Sequence, residues 1–379
     1  MKIYKKAILP IDFLASGLAC GIKRSGKLDL ALFYSLSGAR AACQFTTNRI
    51  LAAPIKLNKK LLKINSSFRA IIVNSGNANC FTHKAGLKDA EGVTASLSAK
   101  LQVEQKEILV ASTGIIARRL PVIKIKKAIP QLIAGLSKDG VHKAQKAIIT
   151  TDKFTKGITV KFNIGNSTVT VCGVAKGAGM IAPSMATMLA FILTDACIAQ
   201  TALDKALRVC VDNSFNCITV DGCMSTNDSV ILLANGSAQN KLIYSGRHFD
   251  LFTAALKYVC LELAKMVVRD AEGASKFIQI KVKEAKSFQE ARKAALNVAN
   301  SNLFKTAVYG QNPNFGRIVA SLGQAGGIDI KEEDLKIKVS PLNKKDIFVE
   351  VSMKRGGSSA TVYTSDLTPE YIKINAEYN

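Results

Sequence analysis

Apolar and polar positions follow two regimes along this 379-residue chain. Short apolar runs bounded by glycine, proline and asparagine predict buried strands, and longer stretches with one apolar face predict helices. Residues 27–56 read as strands, with an apolar run over 28–35 and a second run over 41–49 leading to Ala52-Ala53-Pro54. Residues 70–73 are a four-residue apolar strand ending in the polar glycine loop 74–80, a turn whose asparagines bond their own backbone. A helix is predicted over 90–101, a strand over 108–111 that ends in Ser112-Thr113-Gly114-Ile115-Ile116, and a helix over 123–137. The stretch 167–175 has strand composition and delivers Lys176, read as a solvated loop charge. Further on, the pattern predicts a helix over 202–211 and a strand over 217–220 that enters a turn at Asp221-Gly222. A strand over 230–233 and a helix over 251–268 follow, the helix with Phe252, Leu256, Val259, Leu263 and Met266 on one face. Residues 277–283 alternate like a half-buried strand, and 288–298 read as a helix. Residues 308–317 read as a loop, and 346–352 with 359–364 as a hairpin around Gly356-Gly357. Strands and helices interleave throughout, so the class is α/β.

One stretch at the middle of the chain organises the rest. Lys176-Gly177-Ala178-Gly179-Met180-Ile181-Ala182-Pro183-Ser184-Met185-Ala186-Thr187 is a glycine/proline loop that feeds the apolar run Met188–Leu193. Thr187 would open that buried strand. By itself a threonine there is an ordinary packing residue. If the Ala186–Thr187 bond were cut, however, Thr187 would carry both a hydroxyl and a free α-amine. With a reference pKa of about 7.7–8.0, the amine accepts the hydroxyl proton at neutral pH. That is the N-terminal-threonine form of nucleophile activation.

Composition narrows the partners. The formal charge is +24, from 52 Lys+Arg against 28 Asp+Glu. A basic balance admits a nucleic-acid partner. The excess here is scattered lysine, with no dense basic tail and no zinc-finger or RNA-binding motif, which favours a solvated surface and a side effect of steering anionic substrates. The nine cysteines are dispersed, odd in number and never in CxxC spacing, so they read as reduced thiols of a cytoplasmic or organellar protein. His83, His142 and His248 show no metal-ligand spacing, and no metal is expected. The opening Met1-Lys2-Ile3-Tyr4-Lys5-Lys6 faintly imitates a signal peptide, but Pro10, Asp12 and Gly17 break the apolar core, so the segment reads as part of the fold. No stretch is hydrophobic enough to cross a bilayer.

The central stretch resembles the autocleavage segment of the ornithine acetyltransferase (glutamate N-acetyltransferase) family of arginine biosynthesis, of the self-processing bifunctional type. The resemblance extends from about Phe13 to Asn379 and includes Ser112-Thr113-Gly114 with Leu120-Pro121, Thr150-Thr151-Asp152, Asp270-Ala271-Glu272-Gly273-Ala274 and the C-terminal end. It implies stacked β-sheets between helix layers, the αββα arrangement of N-terminal-nucleophile-like enzymes. It also implies self-cleavage between Ala186 and Thr187 into an α chain (1–186) and a β chain (187–379), assembled as a heterotetramer of two of each. Thr187 would be the nucleophile, and Thr113 with Gly114 would form the oxyanion hole. Thr151 (Thr150 the second choice), Lys176, Thr187, Glu272 and Asn375 would contact substrate, and the loop 74–80 would lie at the active site. The implied substrates are N-acetylornithine and glutamate, with no cofactor and with acetyl-CoA as an optional second donor. The chain departs from the family pattern at Cys223-Met224, Asn312 and Phe315, and it stops before a further substrate-contacting Ser or Thr. Two other readings stand beside this one: an N-terminal-nucleophile amidase or aminopeptidase that releases the acyl group to water, and a non-catalytic binding protein.

Overall fold

One 16-residue strand, Leu30–Phe45, serves two sheets at once. In the computed structural model, which describes residues 1–182 and 188–377, the chain divides into two compact units. The first comprises Met1–Gly177, Thr187–Ser214 and Ser225–Leu263; the second comprises Ala178–Ala186, Phe215–Met224 and Ala264–Asn379.

The strands of the first unit are β1 (Lys2–Tyr4), β2 (Phe13–Leu18), β3 (Leu30–Phe45), β4 (Phe68–Asn77), β5 (Ile108–Ile115), β6 (Lys156–Ile164), β7 (Ser167–Lys176), β8 (Leu189–Thr194) and β9 (Ser229–Ala234). Their order is β1-β6-β7-β8-β9-β3-β4-β5, with β2 also on β3. The register of β3 against β4 shifts between Tyr34 and Ala39, where Ser35-Leu36-Ser37-Gly38 interrupts the apolar run. Before that break β3 pairs with β2 and β4; after it, residues 40–45 pair with β9. The two halves thus belong to two sheets whose apolar faces meet in one core, with the Phe33 and Phe191 ring centroids 5.2 Å apart.

Helices α1 (Ala53–Ile64), α2 (His83–Leu101), α3 (Val122–Ala134) and α4 (Val141–Ile148) cover the sheet of β2, β4 and β5. Helices α5 (Gln200–Asp212) and α6 (Gly246–Arg269) cover the other sheet. Gly173 on β7 permits the α6 approach, because a Cβ there would lie 2.5 Å from Val259 Cγ1 and 2.7 Å from Leu263 Cδ1. The result is the expected helix–sheet–sheet–helix stack.

The second unit holds β10 (Phe277–Ala285), β11 (Lys336–Val339), β12 (Asp346–Ser352) and β13 (Ser358–Ser365), in the order β11-β12-β10-β13. Helices α7 (Phe288–Ala299), α8 (Asn302–Tyr309) and α9 (Phe315–Gly323) pack on the face formed by Ile278, Ile280, Val282, Val349 and Val351, and α10 (Pro369–Glu377) closes the described chain. The alternation predicted for 277–283 is present: Ile278, Ile280 and Val282 are buried, and Lys281 is exposed.

Four expectations change. Residues 27–56 are not all strand, because Pro54 sits in the first turn of α1, where its missing N–H costs nothing. Residues 217–220 form no strand; a single 3₁₀ turn (Phe215–Cys217) and one isolated bridge, Ile218 to Tyr363, hold them. The stretch 308–317 is only partly loop: α8 ends at Tyr309 and α9 begins at Phe315, directly after Pro313 and Asn314. Finally, β12 and β13 are not a hairpin. β10 lies between them, parallel to β12 and antiparallel to β13. The link crosses the end of β10, where the Arg355 and Gly356 N–H groups donate to the Glu284 carbonyl.

The two-sheet core makes a direct prediction. Phe191 is fully buried at the junction of the sheets. Phe191→Ala should destabilise the protein by about 3–5 kcal/mol, read as a lowered denaturant midpoint with an unchanged slope.

Candidate active site

The residues singled out in the sequence fall into one group in each unit. In the first unit, β5 runs parallel to β4 and brings Ser112, Thr113 and Gly114 level with Asn74, Ser75 and Gly76. Gly114 has φ +132°, and a Cβ there would meet the Gly76 carbonyl carbon at 2.4 Å, so only glycine fits. The strand runs on through Asn77, so the expected loop 74–80 begins later than its glycine suggests, but its asparagines do bond the local backbone: Asn74 Nδ2 donates to the Asn77 carbonyl at 2.8 Å, and Asn77 Oδ1 accepts from the Asn79 N–H at 2.8 Å. Ser112 Oγ donates to Asn74 Oδ1 at 2.6 Å, tying the two strand ends together.

Lys176 differs most from its sequence reading. It is the last residue of β7, not a loop charge, and it is 2% exposed. A polar strand end at the edge of a buried run resembles a surface lysine in sequence, and only the strands beside it enclose it. Its Nζ donates to Thr150 Oγ1 at 2.7 Å and to Thr113 Oγ1 at 3.2 Å. Asp152 lies 4.0 Å away, fully buried. Asp152 Oδ1 accepts from Lys156 Nζ at 2.6 Å and from the Gly177 N–H at 2.7 Å, and Oδ2 accepts from the Thr150 N–H at 3.0 Å. Burial alone would raise the Asp152 carboxyl, but the Lys176 and Lys156 ammonium groups and the Gly177 N–H outweigh it and hold the group well below the usual carboxylate range. Thr151, the preferred substrate contact in the sequence, is half-buried beside Thr150.

Two more titratable groups, the half-buried Lys23 and the buried Asp228, face this group. Lys23 donates to the Leu28 and Ile149 carbonyls at 2.8 and 2.7 Å, and burial lowers its pKa to about 8. Asp228 accepts from the Met188 N–H at 3.0 Å, while its second oxygen has no hydrogen-bond partner among the described residues; burial raises this carboxyl well above its ordinary value.

In the second unit, the Glu272 N–H donates to the Ala178 carbonyl at 2.9 Å. The Glu272 carboxylate lies against Gly179, and its Oε2 accepts from Asn375 Nδ2 at 3.0 Å. Both residues expected to bind substrate there thus meet each other. One helical turn before Asn375, Tyr371 donates to Asp221 Oδ2 at 3.3 Å. Asp221 also accepts from the Met180, Ile181 and Cys223 N–H groups at 2.6, 2.9 and 3.1 Å. Ala186 and Thr187, the expected cleavage pair and nucleophile, lie outside the described residues.

Sequence reasoning assigned no part to Asp152, Asp221, Asp228 or Tyr371. Two signals were available: the aspartates close Thr-Thr-Asp, open Asp-Gly and end Asn-Asp, and Tyr371 precedes Asn375 by four residues. Among the described residues, no group of three or more His, Cys, Asp or Glu side chains is gathered as metal ligands would be, and no helix is long and apolar enough to cross a membrane.

Comparison with known proteins finds relatives in one family. The model of the ArgJ family matches residues 14–379. The arginine biosynthesis bifunctional protein ArgJ of Caldanaerobacter subterraneus subsp. tengcongensis is 44% identical, with 98% of each chain covered. That of Geobacter sulfurreducens is 42% identical over 97% of this chain and 98% of the relative. Among solved structures, the ornithine acetyltransferase of Mycobacterium tuberculosis complexed with ornithine is 35% identical, covers 48% of this chain and 98% of that chain, and has a TM-score of 0.45.

Of the nine cysteines, all free, Cys223 alone is exposed. Brief treatment of the native protein with a maleimide should therefore add a single adduct, located at Cys223 by peptide mass mapping; faster labelling at any other cysteine would contradict this packing.

Proposed function

The chain belongs to the ArgJ family of arginine-biosynthesis acyltransferases, and on that premise we propose that it moves an acetyl group from N-acetylornithine to glutamate through an acetyl-threonine at Thr187. Acetyl-CoA serves as a second donor, in keeping with the bifunctional relatives. Cleavage before Thr187 frees its α-amine. The amine takes the hydroxyl proton as Oγ attacks the acetyl carbonyl, and the Thr113 hydroxyl and Gly114 N–H stabilise the oxyanion. The carbonyl re-forms, the amide C–N bond breaks, and ornithine leaves with the proton. The glutamate amine then attacks the acetyl-threonine ester and regenerates Thr187. The acetyl group is carried by the chain itself, and this route uses no metal or organic cofactor.

The observation that carries this reading is a register. Lys176 pairs with Leu189, two residues after Thr187, so the cluster of Lys176, Thr113, Thr150 and Asp152 adjoins the start of β8. The Met188 N–H, next to Thr187, is fastened to Asp228. Glu272 and Asn375, with one carboxylate and one amide, suit the amine and carboxylate ends of an amino acid. The α chain (1–186), β chain (187–379) and their heterotetramer belong to the same proposal. So does a cytoplasmic location, which nine free thiols fit.

Intact mass under denaturing conditions tests processing: two fragments divided at Ala186–Thr187 are expected from the wild type, and one uncut chain from Thr187→Ala. The same variant should lose transfer of acetyl from N-acetylornithine to glutamate. Transfer that survives in Thr187→Ala would sink the mechanism, and acetate release without N-acetylglutamate would mark an amidase.

A further inference from the structure

We propose that Asp152 is a positioning residue for acetyl transfer: it holds the Lys176 ammonium so that the Thr113 hydroxyl is fixed as a hydrogen-bond donor toward the acetyl oxyanion. This rests on the reading of Thr113 as an oxyanion-hole residue.

A threonine hydroxyl has one proton and two lone pairs, and left alone it rotates to the nearest acceptor. An oxyanion hole needs that proton aimed at the reacting oxygen. The ammonium of Lys176 has donors and no lone pair, so Thr113 Oγ1, 3.2 Å away, can only accept from it. The Thr113 proton must then go elsewhere. Thr150 Oγ1, 2.7 Å from the same Nζ, is constrained in the same way. If Lys176 lost its proton, the amine would gain a lone pair and the hydroxyls could turn toward it.

Burial works against that charge. Lys176 is almost inaccessible, and Lys156 and Lys23 face the same space with two further positive charges. The acidic groups there are Asp152, Asp29 and Asp228. Asp29 accepts from the Cys20, Ile22 and Lys23 N–H groups and faces Lys23. Asp228 is spent on the Met188 N–H, and burial raises its carboxyl, so it is the weaker counter-charge. Asp152 therefore offsets Lys176, and it also clips the backbone on both sides through the Thr150 and Gly177 N–H groups. Among the described contacts the carboxylate hydrogen-bonds neither hydroxyl, so it acts through the lysine.

The test compares kcat and KM for acetyl transfer in the wild type, Asp152→Asn and Asp152→Glu across the pH range. The protonated lysine is the active form, and removing the neighbouring negative charge favours the neutral amine. Asp152→Asn should lower kcat about tenfold or more at neutral pH, a loss separate from any rise in KM caused by weakening Lys176 as a substrate contact. The alkaline limb of its kcat profile should move to lower pH by about one unit or more. Asp152→Glu should recover part of both. A pH-independent loss, or a wild-type profile in Asp152→Asn, would overturn the assignment. Should Asp152→Asn fail to fold, a cycle of Lys176→Met and Thr113→Val gives the same answer from the other end. Non-additive losses support coupling through Thr113, and additive losses refute it. A wild-type protein that transfers no acetyl at all would instead refute the proposed function itself.

Discussion

The buried Asp152 carboxylate is the constraint on which the rest of the first unit's polar chemistry depends. Lys156 and Lys176 both reach it, and Lys23 faces it, within a space that admits almost no solvent. Losing one partner of such a buried set typically costs about 3–5 kcal/mol, because the remaining charge is stranded. The sign of its pH linkage follows from its depressed carboxyl. Its stabilisation is complete above the ordinary carboxyl range and is lost only as pH falls toward the folded-state value, in strong acid. Asp228 has the opposite sign: burial raises it, so ionising it costs stability as pH rises. Two carboxyls near one lysine thus play different parts, one as counter-charge and one, raised by burial, as an anchor for the Met188 N–H.

Strand geometry makes such a cluster possible. β3 turns from one sheet into the other at Ser35-Leu36-Ser37-Gly38, and the two sheets then close over a common apolar core. The core fixes the strands, and polar chemistry is left to their ends. Thr113 and Gly114 lie at the end of β5, Lys176 ends β7, and Asp228 immediately precedes β9. Side chains on strand ends held by ladders, on both sides for β7 and β9 and on one side for the edge strand β5, lose little freedom when they are arranged together. The second unit uses a comparable device on a smaller scale: Asp221 gathers the Met180, Ile181 and Cys223 N–H groups, and α10 presents Tyr371 and Asn375 one turn apart to Asp221 and Glu272.

What the sequence made legible follows the same division. Continuous apolar runs such as 230–233, and the alternation over 277–283, reported strands correctly because burial is written into residue type. The layer order of the first unit came from resemblance, since nothing local in β3 tells a reader that its two halves join different sheets. The supposed hairpin at 346–365 failed because glycines mark a turn without saying whether another strand, here β10, fills the space between its arms. Lys176 failed for a related reason: one charge at a strand end looks solvated until β5 and the 149–152 loop surround it. Thr113, Gly114, Glu272 and Asn375 were singled out as members of motifs. Asp152 and Asp228 were inside quoted motifs too, yet their burial, which gives them meaning, is a tertiary fact.

The departures from the family pattern take on a different weight once their positions are known. Cys223, Asn312 and Phe315 are all exposed, and Phe315 retains 46% of its accessible surface, so its ring does little packing. Cys223 offers its backbone N–H to Asp221, a bond any residue but proline could make. None of the three belongs to the set of Thr113, Lys156, Lys176 and Asp228 with the buried Asp152 carboxylate, where a change of charge or hydroxyl could not be absorbed by water. Exposed sites tolerate substitution because solvent replaces the lost partner, whereas buried polar groups must find theirs within the protein. Cys223, Asn312 and Phe315 thus sit where solvent covers the loss, while Lys176 and Asp152 find their partners within the protein. That distribution is expected of a working acyltransferase, and it argues against a protein that has kept only the fold.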